Sequence, residues 1–160
     1  MGYTTEFKGL GFWTDRPLSR EHTLYINKFA ETRHILFDMT RVRPGTTRSN
    51  VDVPDTAAFV LEDDILANGA SLNYNNPPPG VPGLWCQWTV DEDGHINWDG
   101  NEKFYNFEEW LTWLIENLLK PWGYVLNGTL DYQGEDDDDF GRLIVVDNVV
   151  TNIFQWKGGE

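Results

Sequence analysis

The sequence predicts an α+β fold, with a mainly antiparallel β-sheet and two helices packed on one face. Three observations predict this class. The predicted elements follow the order strand, helix, strands, helix, strands. Residues 106–121 carry an amphipathic helical pattern, whereas residues 84–99 and 124–156 alternate between apolar and polar side chains. A length of 160 residues, 40% of them hydrophobic, suits a single domain over 1–160.

The first half of the chain predicts one strand, one helix and an irregular segment. Residues 3–8 alternate weakly, which indicates a strand, and a glycine-rich stretch follows. Ser19 is a favourable N-cap, so a helix is predicted from that point. Its apolar stripe at helical spacing consists of Tyr25, Ile26, Phe29, Leu36 and Phe37. Residues 40–82 are turn-rich and predict an irregular, loop-rich insertion within the domain.

Residues 84–99 predict a β-hairpin that turns at Glu92-Asp93-Gly94. Alternation along the first strand assigns one face to Leu84, Cys86, Trp88 and Val90. The opposite, more polar face receives Trp85, Gln87 and Thr89. Ile96 and Trp98 return on the apolar face. Trp88 and Trp98 are therefore predicted core residues.

The second helix is the clearest element of the sequence. Asn106 is its predicted N-cap, and Glu109 completes a pattern close to a capping box. The predicted buried stripe consists of Phe107, Trp110, Leu111, Leu114 and Leu118. Trp113 falls off this stripe. Residues 124–156 then predict a three-stranded meander, in which Asp147-Asn148 forms the last turn.

The charge distribution restricts the class of partner. The formal net charge is −14, and residues 1–50 hold eight basic and five acidic residues against four basic and twenty-one acidic in the rest. Such an excess of acids repels nucleic-acid phosphates and favours basic protein surfaces. No apolar run reaches the ~20 residues of a membrane helix, and no signal peptide is recognisable. The single cysteine, Cys86, favours a cytoplasmic protein.

The sequence predicts no metal, no cofactor and no catalytic residue. His22, His34 and His95 lack the helical spacing of paired metal ligands, and the acids at 135–139 lack the EF-hand pattern. Cys86 is predicted to point into the core, where burial suppresses the reactivity of a thiol. An enzyme of unknown class remains an alternative, with acid–base chemistry at Asp99, Asp131 or Glu135.

Residues 83–88 (GLWCQW), 96–128 and 132–150 contain a distinctive set of motifs, among them EKFY, EWL, LKPWGY and QGED. Together they resemble an uncharacterised family of small bacterial and phage proteins, over most of the chain except residues 40–70. The resemblance implies a bacterial or phage origin and assigns no activity. Relatives usually carry arginine where this chain has Asn76, which implies loss of a phosphate or carboxylate contact there.

Two surfaces are candidate binding sites. The first is an acidic surface for a basic protein partner, comprising Glu135, Asp136, Asp137, Asp138, Asp139 and the off-stripe Trp113. The resemblance to phage proteins implies an inhibitor of a host or defence protein. The second is the polar sheet face, which would hold a small, nucleotide-like ligand by stacking and hydrogen bonding. Its predicted residues are Trp85, Gln87, Asp99, Asn127, Gln133 and Tyr74. We expect the first, a non-catalytic acidic binding protein.

Overall fold

The chain forms two compact units. The computed structural model describes residues 2–40, 51–54, 56–61, 71–73 and 75–157. The first unit, here the sheet unit, comprises Met1–Pro17 and Gln87–Glu160, and the second, the middle unit, comprises Leu18–Cys86. The single domain with an insertion at 40–82 stays a prediction, and 41–50, 55, 62–70 and 74 lie outside the described residues.

The observed class is α+β with an antiparallel sheet, as predicted. In chain order the elements are β1 (Glu6–Thr14), α1 (Arg20–Ala30), β2 (Leu36–Phe37), a 3-10 turn (Ala57–Phe59), β3 (Ser71–Asn73), β4 (Trp88–Val90), β5 (Ile96–Trp98), α2 (Phe107–Leu114), a π-helical turn (Ile115–Leu119), β6 (Leu126–Gln133), β7 (Phe140–Val146) and β8 (Val149–Phe154). Six strands of the sheet unit pair in the order β4-β5-β1-β6-β7-β8. Strands β4 and β8 are therefore its edges.

Strand β1 is longer than predicted. The predicted strand covered 3–8, but β1 continues to Thr14 through the glycine-rich stretch. Its register with β6 shifts between Lys8 and Gly11, which marks a β-bulge. Gly11 has φ +88°, and a Cβ atom there would lie 2.6 Å from the Ile96 carbonyl oxygen. The glycine is thus required by the close approach of β5, and it bends a strand rather than ending it.

Helix α1 begins where the sequence predicts. The Ser19 side chain accepts a hydrogen bond from the backbone N–H of His22 at 3.1 Å, as an N-cap should. The apolar stripe is buried at Tyr25, Ile26 and Phe29. The hydroxyl of Tyr25 donates to the Phe59 carbonyl at 2.8 Å, which satisfies its one polar group inside the middle unit.

The prediction that α1 continues to Phe37 is wrong. The helix ends at Ala30, and Leu36–Phe37 form β2, which pairs with β3. The Thr32 hydroxyl donates to the Lys28 carbonyl at 2.8 Å, and the backbone N–H of His34 donates to Leu84 at 2.7 Å. The Lys28 carbonyl therefore accepts from a side chain, and the His34 N–H donates to a distant segment instead of to the preceding turn. Neither group is left to extend the helix. Ile35, Phe37 and Val60 then form a core cluster of the middle unit.

The burial of His34 makes the stability of the protein depend on pH. The imidazole lies 4.0 Å from the Phe29 ring, and burial lowers its pKa from 6.5 to about 4. Between these two values the unfolded chain binds a proton that the folded chain does not. The contribution of His34 to stability is therefore complete above about pH 6.5, falls as the pH drops from 6.5 to 4, and is lost below about pH 4. We expect a loss of about 2 kcal/mol between pH 7 and pH 5 from this group. An NMR titration that places the His34 midpoint near 6.5 would contradict this assignment.

Helix α2 is capped differently from the prediction. Asn106 occupies the N-cap position with φ +59°, and its side chain forms no capping hydrogen bond within the described residues. The predicted capping box is therefore wrong, because an N-cap side chain reaches the first turn from an extended backbone, which Asn106 does not adopt. Beyond Leu114 the helix widens into the π-helical turn. No helix in the described ranges has the length and hydrophobicity to span a bilayer.

The buried side of α2 is broader than the predicted stripe. Trp110, Leu111, Leu114 and Leu118 are buried, as predicted. Trp113 is only 8% exposed, so its predicted position off the buried stripe is wrong. Its ring meets the Trp110 ring edge to face with 5.7 Å between centroids. Ile115, which was not assigned to the stripe, is buried as well.

The aromatic side chains of the sheet unit form its core. Phe7 from β1 lies 5.2 Å from Trp88 and 5.1 Å from Phe107 between ring centroids. Helix α2 begins between the two sheet edges, because Trp88 of β4 donates its indole N–H to the Phe107 carbonyl and Asn152 of β8 donates to Glu108, both at 2.9 Å. Of the three tryptophans in residues 83–100, Trp88 is therefore the one that packs in the core of the sheet unit.

The hairpin and the meander follow the predicted pattern, although the hairpin strands are short. Gly94 has φ +81° in the predicted β4–β5 turn. Asp147 and Asn148, with φ +47° and +70°, form the predicted turn between β7 and β8. In and before β6, the predicted inward side chains are all buried: Tyr124, Leu126, Leu130 and Tyr132. Trp98, a predicted core residue, is only half-buried.

Candidate binding face

The sheet has one side covered by α2 and one side that carries the candidate site. Tyr132 points to the helix side, where its ring lies 5.1 Å from Phe107. Alternation places the neighbouring residues of β6 on the opposite side, here called the outer face. These are Asn127, Thr129, Asp131 and Gln133, and none of them is buried. The predicted polar alternation of β6 is therefore confirmed.

Side chains from the strands beside β6 make the outer face more apolar than the sequence predicts. Cα partners lie on the same side of a sheet, and Trp13 pairs with Asn127 while Phe140 pairs with Gln133. Trp13 is 47% exposed, Val146 is 58% exposed and Val149 is 64% exposed. Ile144 and Ile153 on the same face are partly exposed. The outer face therefore presents a band of exposed apolar side chains.

A cavity of about 410 Å³ opens on the outer face around an ion pair. The Arg142 guanidinium donates two hydrogen bonds to the Asp131 carboxylate, from Nε to Oδ1 at 2.6 Å and from Nη2 to Oδ2 at 3.0 Å. The same guanidinium lies 4.8 Å from the Trp156 ring centroid. The hydrogen bonds to the Asp131 carboxylate raise the pKa of Arg142. The other lining residues that project from the strands include Glu6, Lys8, Gln133 and Phe140.

The loop between β6 and β7 carries the predicted acidic surface, and it is held in place. We call Glu135–Asp139 the acidic loop. The Tyr3 hydroxyl donates to Asp139 Oδ2 at 2.6 Å, and Glu135 Oε2 accepts from the Thr4 backbone N–H at 2.5 Å. The hydrogen bond to Asp139 raises the pKa of Tyr3. Asp136, Asp137 and Asp138 are exposed between these two anchors. They form a fixed acidic rim beside the outer face.

The side-chain amides predicted for the ligand platform form hydrogen bonds with backbone groups of neighbouring loops and turns. Gln87 is buried, and its Nε2 donates to the Glu102 carbonyl at 2.7 Å. Gln133 Nε2 donates to the carbonyl groups of the acidic loop, including Asp136 at 3.0 Å. Asn127 Oδ1 accepts from the Asp147 N–H at 2.9 Å. These amides therefore hold loops, and Asn127 and Gln133 lie about 20 Å apart along β6.

The remaining predicted site residues are not gathered on the outer face. Asp99 accepts a hydrogen bond from the Asn101 N–H at 2.9 Å, and burial raises the pKa of its carboxyl group. Trp85 belongs to the middle unit, where Arg33 lies 5.9 Å from its ring centroid. Tyr74 lies outside the described residues. Trp113, being buried, offers little surface to a partner.

Cys86 is buried, which leads to a prediction about its reactivity. A thiol reagent should label the native protein at least roughly 100-fold more slowly than the urea-unfolded chain, because labelling requires an opening of the structure. Absorbance of the released thiolate measures the rate. Rapid, stoichiometric labelling of the native protein would place Cys86 at the surface instead.

Among the described residues, no three His, Cys, Asp or Glu side chains are grouped as metal ligands. Comparison with family models, with curated protein sequences and with solved structures finds no match to this chain. The candidate site is thus defined by its own geometry, which consists of exposed apolar side chains, an arginine held by Asp131 and a fixed acidic rim.

Proposed function

We propose that the protein is a non-catalytic binding protein that engages a basic protein surface through the outer face and the acidic loop. The observation that carries this proposal is the exposed apolar band, with Trp13, Val146 and Val149, on the same unit as the acidic rim at Asp136–Asp138. Interfaces combine an apolar centre with a polar rim, and exposed apolar patches often mark such sites.

The charge of the sheet unit supports a basic partner. Its residues, 1–17 and 87–160, include eighteen acidic and six basic side chains, a formal net charge of −12. Of the two basic residues in the cavity, Arg142 is already paired with Asp131. A basic surface that approaches the outer face is attracted by the unit as a whole, which raises the association rate.

The rigidity of the site favours recognition of a folded partner. The acidic loop is tied to the N-terminal segment through Tyr3 and Thr4, so binding requires little further ordering of Asp136–Asp138. The resemblance to phage proteins supports inhibition of a host or defence protein in the cytoplasm as the biological role. In such a role the acidic rim would occupy a basic groove.

The proposal is tested by neutralising the acidic rim. The partner is first captured, as the basic protein that the wild type retains from an extract of its host at low salt. The triple variant Asp136→Asn, Asp137→Asn, Asp138→Asn should lower the affinity for this protein by roughly tenfold or more, since each rim charge contributes to attraction. Biolayer interferometry with the captured protein measures the dissociation constant at several salt concentrations. The affinity of the wild type should decrease as salt rises.

A matched control separates a specific rim from general charge. The triple variant Glu92→Gln, Glu102→Gln, Glu109→Gln removes the same number of charges from exposed positions outside the acidic loop. It should retain most of the affinity. If the two triple variants lose affinity equally, the acidic loop is not a specific contact. If neither changes it, the acidic surface has no part in binding.

The cavity on the outer face favours a second candidate function, the binding of a small ligand. Its volume of about 410 Å³ suits a compact molecule, and Phe140 and Trp156 supply apolar walls. Lys8 is exposed and has no ion-pair partner among the described residues, so it is available to an anionic group. Native mass spectrometry of protein purified from its host tests this function. A retained small molecule that Lys8→Ala releases would support it over protein binding.

A further inference from the structure

Strand β8 is an edge of the sheet, and no strand of the described residues lies beside its outward backbone groups. The Gln155 N–H donates to the Phe140 carbonyl of β7 at 2.7 Å. Since antiparallel pairs alternate, Ile153, Thr151 and Val149 also direct their backbone groups to β7. Val150, Asn152 and Phe154 therefore direct their N–H and C=O groups away from the sheet. No strand among the described residues pairs with β8 on that side.

The sequence of β8 lacks the features that usually protect an edge. Val149–Phe154 contains no charged residue, no proline and no glycine, and four of its six residues are valine, isoleucine or phenylalanine. Phe154 is 58% exposed. Natural sheets protect exposed edges with charges, prolines or bulges, and an edge without them is a template for another strand.

We propose that β8 pairs antiparallel with β8 of a second copy of this chain, which joins two six-stranded sheets into one. A two-fold axis beside Asn152 aligns all three outward-directed residues in hydrogen-bonded pairs. Asn152 then lies opposite Asn152, and Val150 lies opposite Phe154 of the other copy, twice. Pairs of an aromatic and a β-branched residue stabilise antiparallel strands. The same surface serves both copies, as a two-fold interface requires.

The charges that flank β8 fit this arrangement. Asp147 precedes the strand and Lys157 follows it. In an antiparallel pair, the Asp147 end of one strand meets the Lys157 end of the other. A parallel pair would instead bring like charges together at each end. The flanking charges thus select the antiparallel orientation of a second copy.

Self-pairing of β8 is independent of the proposed partner binding, and the two processes depend on salt in opposite directions. Partner binding uses side chains of the outer face and weakens with salt. Self-association brings together two chains that each carry a formal net charge of −14, so salt strengthens it by screening their repulsion. Edge pairing also leaves the outer faces of both copies uncovered.

Sedimentation equilibrium of the full chain tests the proposal at low salt and in roughly 0.5 M NaCl, where charges are screened. Because one pair of strands buries less area than a standard interface, protein concentrations up to roughly 1 mM are needed. The expected result is a species of twice the 18.5 kDa chain mass, with a fraction that rises with salt. A monomer throughout this range overturns the proposal and leaves the edge to another occupant.

Two variants and a matched control assign the interface. Phe154→Lys places a charge on the edge, and Val150→Pro removes an outward N–H. Each should weaken the dimer about tenfold or more, since the two-fold axis doubles every loss. Leu10→Lys changes an exposed residue on β1, which two strands separate from β8, and should leave the dimer intact. A dimer that persists in both edge variants, with circular dichroism confirming their fold, would place the interface elsewhere.

Discussion

Replacement of Trp110 by alanine is expected to lower the free energy of unfolding by about 3–5 kcal/mol. The side chain is fully buried in α2 and packs edge to face on Trp113. Removing the indole therefore leaves a cavity that the surrounding core cannot fill by small shifts. Urea denaturation followed by circular dichroism measures the change.

Thr112→Ala is the control for Trp110→Ala. Thr112 is exposed on the same helix, and its replacement should change stability by no more than about 0.5 kcal/mol. The comparison thus removes any general effect of substitution in α2. A Trp110→Ala protein as stable as the wild type would show that α2 does not bury this face.

Replacement of Trp13 by alanine is expected to weaken partner binding by about 2–4 kcal/mol, roughly 30-fold or more, as for an exposed aromatic residue that a partner covers. Trp13 lies on the outer face of β1, opposite Asn127, and is 47% exposed. Stability should change little, because about half of the indole already contacts water. Isothermal titration calorimetry with the partner measures the affinity.

Thr112→Ala serves as the control for Trp13→Ala as well. Thr112 is exposed on α2, which covers the opposite side of the same sheet, so its replacement should leave affinity within about twofold of the wild type, as at a non-contacting position. Equal losses in both variants would mean that the outer face is not the contact surface. Unchanged affinity in both would favour the small-ligand function instead.

Most strands were predictable because only one side of the sheet is buried, so apolar and polar side chains alternate along each strand. Leu126, Leu130 and Tyr132 alternate with polar residues, which is sufficient to place β6. Strand β1 was harder, because Gly11 resembles a turn residue until the approach of β5 is known. The end of α1 depends on Thr32 and on the distant Leu84, and local periodicity contains neither.

The candidate site was predictable only in part, since the outer face of β7 is apolar. The run from Leu143 to Val146 alternates between buried and uncovered positions while every side chain in it is hydrophobic. Such a run predicts a strand that is buried on both faces. Only the fold shows that Ile144 and Val146 lie uncovered. The acidic loop was visible as a charge run, but its anchoring by Tyr3 requires contacts across more than 130 residues.

Hydroxyl-radical footprinting of the protein alone and bound to its partner tests whether the outer face is the contact surface. This method reports the solvent exposure of individual side chains. Oxidation of Trp13, Phe140 and Trp156 is expected to fall in the complex, while that of the exposed Tyr105 in the same unit is expected not to change. Protection of Tyr105 with an unprotected Trp13 would contradict this expectation, because the partner would then bind away from the outer face.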